Sequence, residues 1–200
     1  KLHIRSSEIL GIAGVGGNGQ KELAEILSGV KAPTSGVIKI NDVNLVGKQP
    51  SEFSKLGMGR IPEDRHEGVV GDLTVYENLA LEHLEEYSKN GFLDKKTIRK
   101  NADDLIRNFQ IKAKPTDKIR TLSGGNMQKV LLARVLSRQP EVVIAPQPTR
   151  GLDVGATEYV RQQLLEQRSR GAAVMLISED LDEILSISDR LAFIYEGEIV

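Results

Sequence analysis

Two hundred residues, 40% of them hydrophobic, can bury one good core and carry a small inserted subdomain, and they are too few for more. Lys and Arg number 27 against 28 Asp and Glu, a net charge of -1, so the basic excess of a nucleic-acid binder is missing and no nucleic-acid partner is expected. The absence of cysteine removes disulfides, thiolate metal sites and cysteine nucleophiles and suits a reducing compartment; His3, His66 and His83 are scattered, so no metal site of the chain's own is expected.

No window approaches the roughly 18 apolar residues of a membrane span, and the N-terminus lacks a basic-then-apolar leader, so a soluble, cytosolic chain is expected. Lys1-Leu2-His3-Ile4 and Glu198-Ile199-Val200 both read as strands, which suggests a piece of a longer polypeptide.

In chain order, the apolar run Glu8 to Ala13 predicts a strand that enters a glycine-rich turn and then a helix with Leu23, Ile26 and Leu27 on one face. Gly36 to Ile40 predicts a second strand ending in the turn Asn41-Asp42, and Met58 to Ile61 a third before Pro62. Thr74 to Tyr87 and Asp94 to Phe109 carry apolar residues at helical spacing, with Asp94 as N-cap and Gly91 as the break between them. Strand and helix then alternate: helix Gly124 to Ser137, strand Val142 to Ala145, helix Val154 to Arg168, strand Ala173 to Ser178, helix Asp180 to Leu185 and strand Arg190 to Tyr195. Such alternation predicts an α/β fold with a mostly parallel sheet. The expected division is a core in two parts, 1–73 and 121–200, with an all-helical insertion at 74–120.

Gly14-Val15-Gly16-Gly17-Asn18-Gly19 lies between the first strand and the first helix, where backbone N–H groups and the positive helix end can hold phosphate oxygens. A working loop of the form G-x-x-x-x-G-K-[ST] uses its lysine on the β and γ phosphates and its hydroxyl on magnesium. Gln20 and Lys21 stand in those two places. Gln20 brings no charge, and the Lys21 ammonium has no lone pair for a metal; one position further along also turns it about 100° around the helix, off the loop side. The same residues fit two other readings: a plain strand-to-helix turn, and a G-x-G-x-x-G dinucleotide loop whose acidic partner would be Asp42, 23 residues after Gly19. The loop alone does not separate them.

Thr121-Leu122-Ser123-Gly124-Gly125-Asn126-Met127-Gln128-Lys129 separates them. Serine at a helix start can cap it, and two glycines leave no Cβ between the backbone N–H groups and an anion. Leu122-Ser123-Gly124-Gly125-Asn126 with Gln128 resembles the signature motif of ABC-type ATPases. Val142 to Ala145 followed by Pro146 to Asp153 resembles their Walker B strand and D-loop, Val174 to Ser178 before Glu179 the strand that ends in the switch histidine, and Ile61-Pro62-Glu63 the Q-loop. Pro62-Glu63-Asp64-Arg65, Asn126 in the signature and Pro148 to Ala156 resemble more closely the second cassette of fused double-cassette ATPases of simple-sugar and nucleoside importers.

The resemblance implies a P-loop NTPase-like core with the ABC helical insertion, and it implies what has been lost. The magnesium-binding aspartate falls at Pro146, the general-base glutamate at Gln147, the switch histidine at Glu179 and the Q-loop glutamine at Glu63. With Gln20 and Lys21, six functional places are replaced, and little or no hydrolysis is expected from this domain alone. If ATP is held in its own site at all, it is held weakly or structurally by Gly14, Gly16, Gly17, Asn18, Gly19, Gln20, Lys21 and Glu22.

Cassettes of this family act head to tail, so Leu122 to Asn126 and Gln128 are expected to serve a partner's site, where magnesium would also be held, with Asp153 and Glu63 at interfaces. The expected partners are a second cassette in the same full-length chain, a membrane permease and, indirectly, a substrate-binding protein, which places the chain peripherally on the cytoplasmic face of a membrane. The alternatives are a non-catalytic regulatory or dimerisation module, and a soluble ABC protein acting on DNA or ribosomes, whose usual coiled coils and basic linkers are missing here.

Overall fold

The computed structural model describes residues 1–89 and 91–200. β1 (Ile9–Ala13) runs through the glycine loop into α1 (Gln20–Leu27). A small hairpin, β2 (Lys39–Ile40) and β3 (Val43–Asn44), precedes α2 (Pro50–Lys55), β4 (Met58–Arg60) and the single turn α3 (Arg65–Gly68). The insertion holds α4 (Val75–Ala80), a 3-10 turn at Leu81–His83, a second hairpin of β5 (Ser88–Lys89) and β6 (Phe92–Leu93), and α5 (Lys95–Asn108). The chain returns through α6 (Gly124–Leu136), β7 (Val142–Pro146), α7 (Val154–Ser169), β8 (Ala173–Ser178), α8 (Leu181–Ile187), β9 (Arg190–Tyr195) and β10 (Glu198–Ile199).

The main sheet has the order β10-β9-β1-β8-β7-β4 and is parallel except for β10, which turns back on β9. β1 and β8 are buried along their whole length, as strands covered on both faces must be. Their side chains divide between two cores: Ile9 and Ala13 pack with Leu164, Val174 and Leu176 under α6, α7 and α8, while Leu10 and Ile12 pack with Ala24, Ile40, Phe53 and Met175 on the α1 side. This parallel α/β core is the predicted one. Because every central strand points the same way, β1, β8 and β7 deliver their C-terminal loops to one edge, and Gln20, Pro146, Gln147 and Glu179 lie there.

Three expectations are corrected. The second strand is shorter than 36–40: Asn41 and Asp42 both take left-handed φ, 46° and 67°, and close a two-residue hairpin turn that stands outside the main sheet. Asp42 therefore does not end a parallel strand beside the glycine loop, and the dinucleotide reading falls. The helix read over Thr74 to Tyr87 ends at Ala80, where the chain tightens so that Glu82 and His83 can reach α6: Glu82 pairs with Arg134 at 3.0 Å and His83 Nε2 lies 3.3 Å from the Arg134 carbonyl oxygen. The insertion is also not all-helical. Gly91, at φ +81°, sits in the turn of the β5–β6 hairpin before Asp94 caps α5.

The insertion has its own core, in which Val75 and Leu79 of α4 meet Ala102 and Leu105 of α5 and Met127, Val130 and Ala133 of α6. Leu132, Val135 and Leu136 of α6 instead belong to the core of the main sheet. One helix is thus rooted in both.

Candidate functional site

The glycine loop is shaped by residues that only glycine tolerates cheaply: Gly17 and Gly19 have φ of 85° and 104°, and Gly19 stands at the N-cap of α1 with no side-chain bond to the helix. The loop is closed from within. Gln20 is buried, its Oε1 accepting from Asn18 N at 3.0 Å and its Nε2 donating to the Val15 carbonyl at 2.8 Å. Asn18 Nδ2 donates to the same carbonyl at 2.7 Å. Lys21 and Glu22 are exposed on the outer side of the helix.

Pro146 closes β7 with no polar side-chain atom, and Gln147 follows in the left-handed region, φ 47°, its N–H bonded to the Ile177 carbonyl at 2.7 Å. The Gln147 side chain is turned to the end of β8, where Oε1 accepts from Glu179 N at 3.4 Å. The Glu179 carboxylate lies against the glycine loop, since a Cβ on Gly16 would stand 2.7 Å from Glu179 Oε1. Gln20, Gln147 and Glu179 therefore stand at one edge, where Gln147 is bonded to the Glu179 backbone and Gln20 is used within the glycine loop on Asn18 and Val15. Among the described residues no group of three His, Asp or Glu side chains could hold a metal ion.

Ser123 caps α6, accepting from Asn126 N, and Asn126 braces the cap with Nδ2 to Ser123 Oγ at 3.0 Å while its Oδ1 accepts from Lys112 N at 2.8 Å. Gln128 is buried and donates to the Pro148 carbonyl at 2.8 Å. Ser123 is exposed, and Leu122 is half-buried against the insertion core. Gly124 and Gly125 are needed for packing as well: a Cβ on Gly124 would stand 3.1 Å from Arg65 Nε, and one on Gly125 3.1 Å from Ala156 Cβ, with Asp153 Oδ2 at 4.0 Å. Asp153 caps α7 through Ala156 N at 2.8 Å. Among the described residues no hydrogen bond or ion pair joins the Ser123–Asn126 segment to the glycine loop.

Among the described residues Glu63 makes no bond to the glycine loop; it pairs with Arg150 at 3.5 Å, a partly exposed contact worth little by itself. Sequence reasoning missed three features. Arg65 donates to the Arg150 and Gly151 carbonyls, Glu183 is buried and accepts from Ser178 Oγ at 2.7 Å, and the β9–β10 turn latches on Asn18. Arg65 was legible only as part of a four-residue resemblance, and Glu183 sits on the face of α8 where an apolar residue is the default.

The model of the family described as ABC transporter matches residues 1–150, which include the glycine loop, the insertion and the signature segment. The chain belongs to the ABC transporter family. It is 43% identical over 202 residues to the nucleoside import ATP-binding protein NupA of Lactococcus lactis subsp. cremoris, covering 99% of this chain and 40% of that protein. It is also 43% identical over 205 residues to a glucose import ATP-binding protein of Haloferax volcanii, covering 100% of this chain and 37% of that protein. The cassette thus spans about two fifths of these curated relatives. Its fold matches the dimeric post-hydrolysis state of the ATP-binding cassette MJ0796, bound to ADP and Pi, with a TM-score of 0.84 at 25% identity over 99% of this chain and 85% of that one. No helix among the described residues is long and apolar enough to cross a membrane.

Proposed function

We propose that this chain is the ATP-binding cassette of an importer for simple sugars or nucleosides, that its own pocket does not hydrolyse ATP, and that it lends Ser123, Gly124 and Gly125 to the catalytic pocket of a partner cassette. The import proteins among its relatives support the transport role, and the dimeric MJ0796 cassette supports the pairing. The observation that carries the loss of hydrolysis is the pair Pro146 and Gln147 at the end of β7.

Phosphoryl transfer needs a metal ligand set, cationic neutralisation of the phosphates and a group that orients the attacking water. MgATP supplies the phosphoryl group and its metal wherever such a pocket is complete. Here the residues do not fit it. Pro146 offers no oxygen, Gln147 cannot take a proton near neutral pH and is bonded to Glu179 N, Gln20 is neutral, and Lys21 faces outward. Glu179 adds a negative charge beside Gly16, where charge on a phosphate would be opposed.

The signature keeps every part it needs. The exposed Ser123 cap and the half-buried Gly124 and Gly125 lie at the positive end of the 13-residue helix α6, a place suited to an anion. Asp153 stands beside it and joins the same face. A permease would meet the insertion, 74–120, and the Glu63 segment, a substrate-binding protein would act through that permease, and the cassette would sit on the cytoplasmic face of the membrane. Magnesium would be held only in the partner's pocket.

Gly125→Asp in the complete importer tests the donation. It sets a carboxylate in the anion path and beside Asp153, so MgATP hydrolysis and transport should fall at least tenfold, whereas unharmed transport would defeat the proposal. Metal-dependent hydrolysis by the purified chain that vanished in Gln147→Ala would defeat the claim that its own pocket is inert.

A further inference from the structure

Gln20 does more than omit a charge. At 7% exposure it is buried in the loop, and both polar atoms of its carboxamide are used there, Oε1 on Asn18 N and Nε2 on the Val15 carbonyl. A lysine in this place could donate to the carbonyl but could not accept from Asn18, because ammonium has no lone pair. The carboxamide therefore consumes a loop N–H of the kind that cradles phosphate, and it does so as a neutral group that calls for no anion. The side chain also presses on the loop floor, where a Cβ on Gly14 would stand 2.8 Å from Gln20 Nε2.

Neighbouring segments of the same chain hold this arrangement shut. Asn18 accepts twice from the β9–β10 turn, from Glu196 N on Oδ1 at 2.9 Å and from Gly197 N on its carbonyl at 3.0 Å. The Glu179 carboxylate rests on Gly16, and Gln147 fixes the backbone of Glu179. An entering triphosphate would have to displace the Gln20 carboxamide from Asn18 N and come up against the Glu179 carboxylate beside Gly16.

We propose that the glycine loop is self-liganded: the Gln20 carboxamide takes the place of a phosphate, and the pocket is ordered and closed to nucleoside triphosphates without any ligand. This goes beyond the loss of hydrolysis and does not depend on the donated signature, because it concerns binding to the purified chain alone.

Calorimetric titration of the chain with MgATP, and separately with inorganic phosphate, tests it. The wild type should give no saturable heat at millimolar ligand, while Gln20→Ala combined with Glu179→Ala should bind MgATP at least about tenfold more tightly. Gln20→Lys combined with Glu179→His, which restores a cation, is the second variant should the alanine pair fail to fold. Micromolar binding by the wild type overturns the proposal, as does a folded variant that binds no better. Amide exchange gives an independent readout: Asn18 N–H should be protected in the wild type without nucleotide and should lose that protection in Gln20→Ala, and unchanged protection likewise overturns it.

Discussion

Arg65 holds Gly151 by its backbone: Nη2 donates to the Gly151 carbonyl at 3.2 Å while Nη1 donates to the Arg150 carbonyl at 2.7 Å. The planar fork spans two successive carbonyls, a geometry that a single ammonium cannot copy. Glycines clear its path, since a Cβ on Gly151 would stand 3.3 Å from Nη2 and one on Gly124 3.1 Å from Nε. Arg65→Ala is expected to loosen the turn that carries Asp153, raising amide exchange over 151–153 by about tenfold while the β1 and β8 amides keep theirs. Arg65→Lys should fail to restore protection. Full restoration by lysine would show that charge, and not the fork, holds the turn.

Glu183 sets a pH dependence. Burial pushes its carboxyl above the usual carboxylate range, while hydrogen bonds from Ser178 and Thr149 and the charge of Arg161 pull part of the way back. The folded protein then keeps a proton that the unfolded chain releases from the ordinary value of 4.5 upward. The stabilisation is complete below that value and is lost as pH rises through the raised folded pKa. Glu183→Gln removes the titration, so its melting temperature should fall less than that of the wild type as pH rises above the ordinary carboxyl value of 4.5. Parallel melting profiles would assign the dependence to another group.

Asn126 braces the signature. Its side chain joins Ser123 Oγ to Lys112 N, linking the start of α6 to the segment after α5. Asn126→Ala removes both bonds at a cost of about 1 to 2 kcal/mol, read as a lower urea midpoint with unchanged slope. Asn126→Gln, one methylene too long for both partners, should not recover it. A variant as stable as the wild type would reduce Asn126 to a spectator.

Leu164 measures the main core. It is 0% exposed and packed among Ile9, Val174 and Leu176, so Leu164→Ala should cost about 2 to 5 kcal/mol in denaturant unfolding. A loss under about 1 kcal/mol would mean that the helix layer collapses onto the cavity.

Much of this was legible in the sequence for a physical reason. Apolar runs such as Val142 to Ala145 and Ala173 to Ser178 read as buried parallel strands, and Asp94 and Ser123 cap the helices they were expected to cap. The proposed loss of chemistry was legible in the side chains themselves, because a proline or an amide cannot do a carboxylate's work. Their new employment was not legible. That Gln20 bonds to Val15 and Asn18, or Gln147 to Glu179, depends on how three strand ends meet in space. The shortened second strand and the Ser88–Leu93 hairpin escaped because local turn geometry at Asn41, Asp42 and Gly91 overrode a longer periodic pattern.

The double rooting of α6 has a mechanical consequence. At about 1.5 Å per residue its 13 residues make a shaft of about 20 Å, with Leu136 anchored in the sheet core and Met127 in the insertion. If the insertion tilts by about 10° around the Leu136 end, Ser123 sweeps through about 3 Å, the span of one hydrogen bond. Under the donation proposed above, a small rotation of the insertion would suffice to make or break a contact of Ser123 with a partner's anion, and α6 would convert a turn of one subdomain into an on–off switch at its tip.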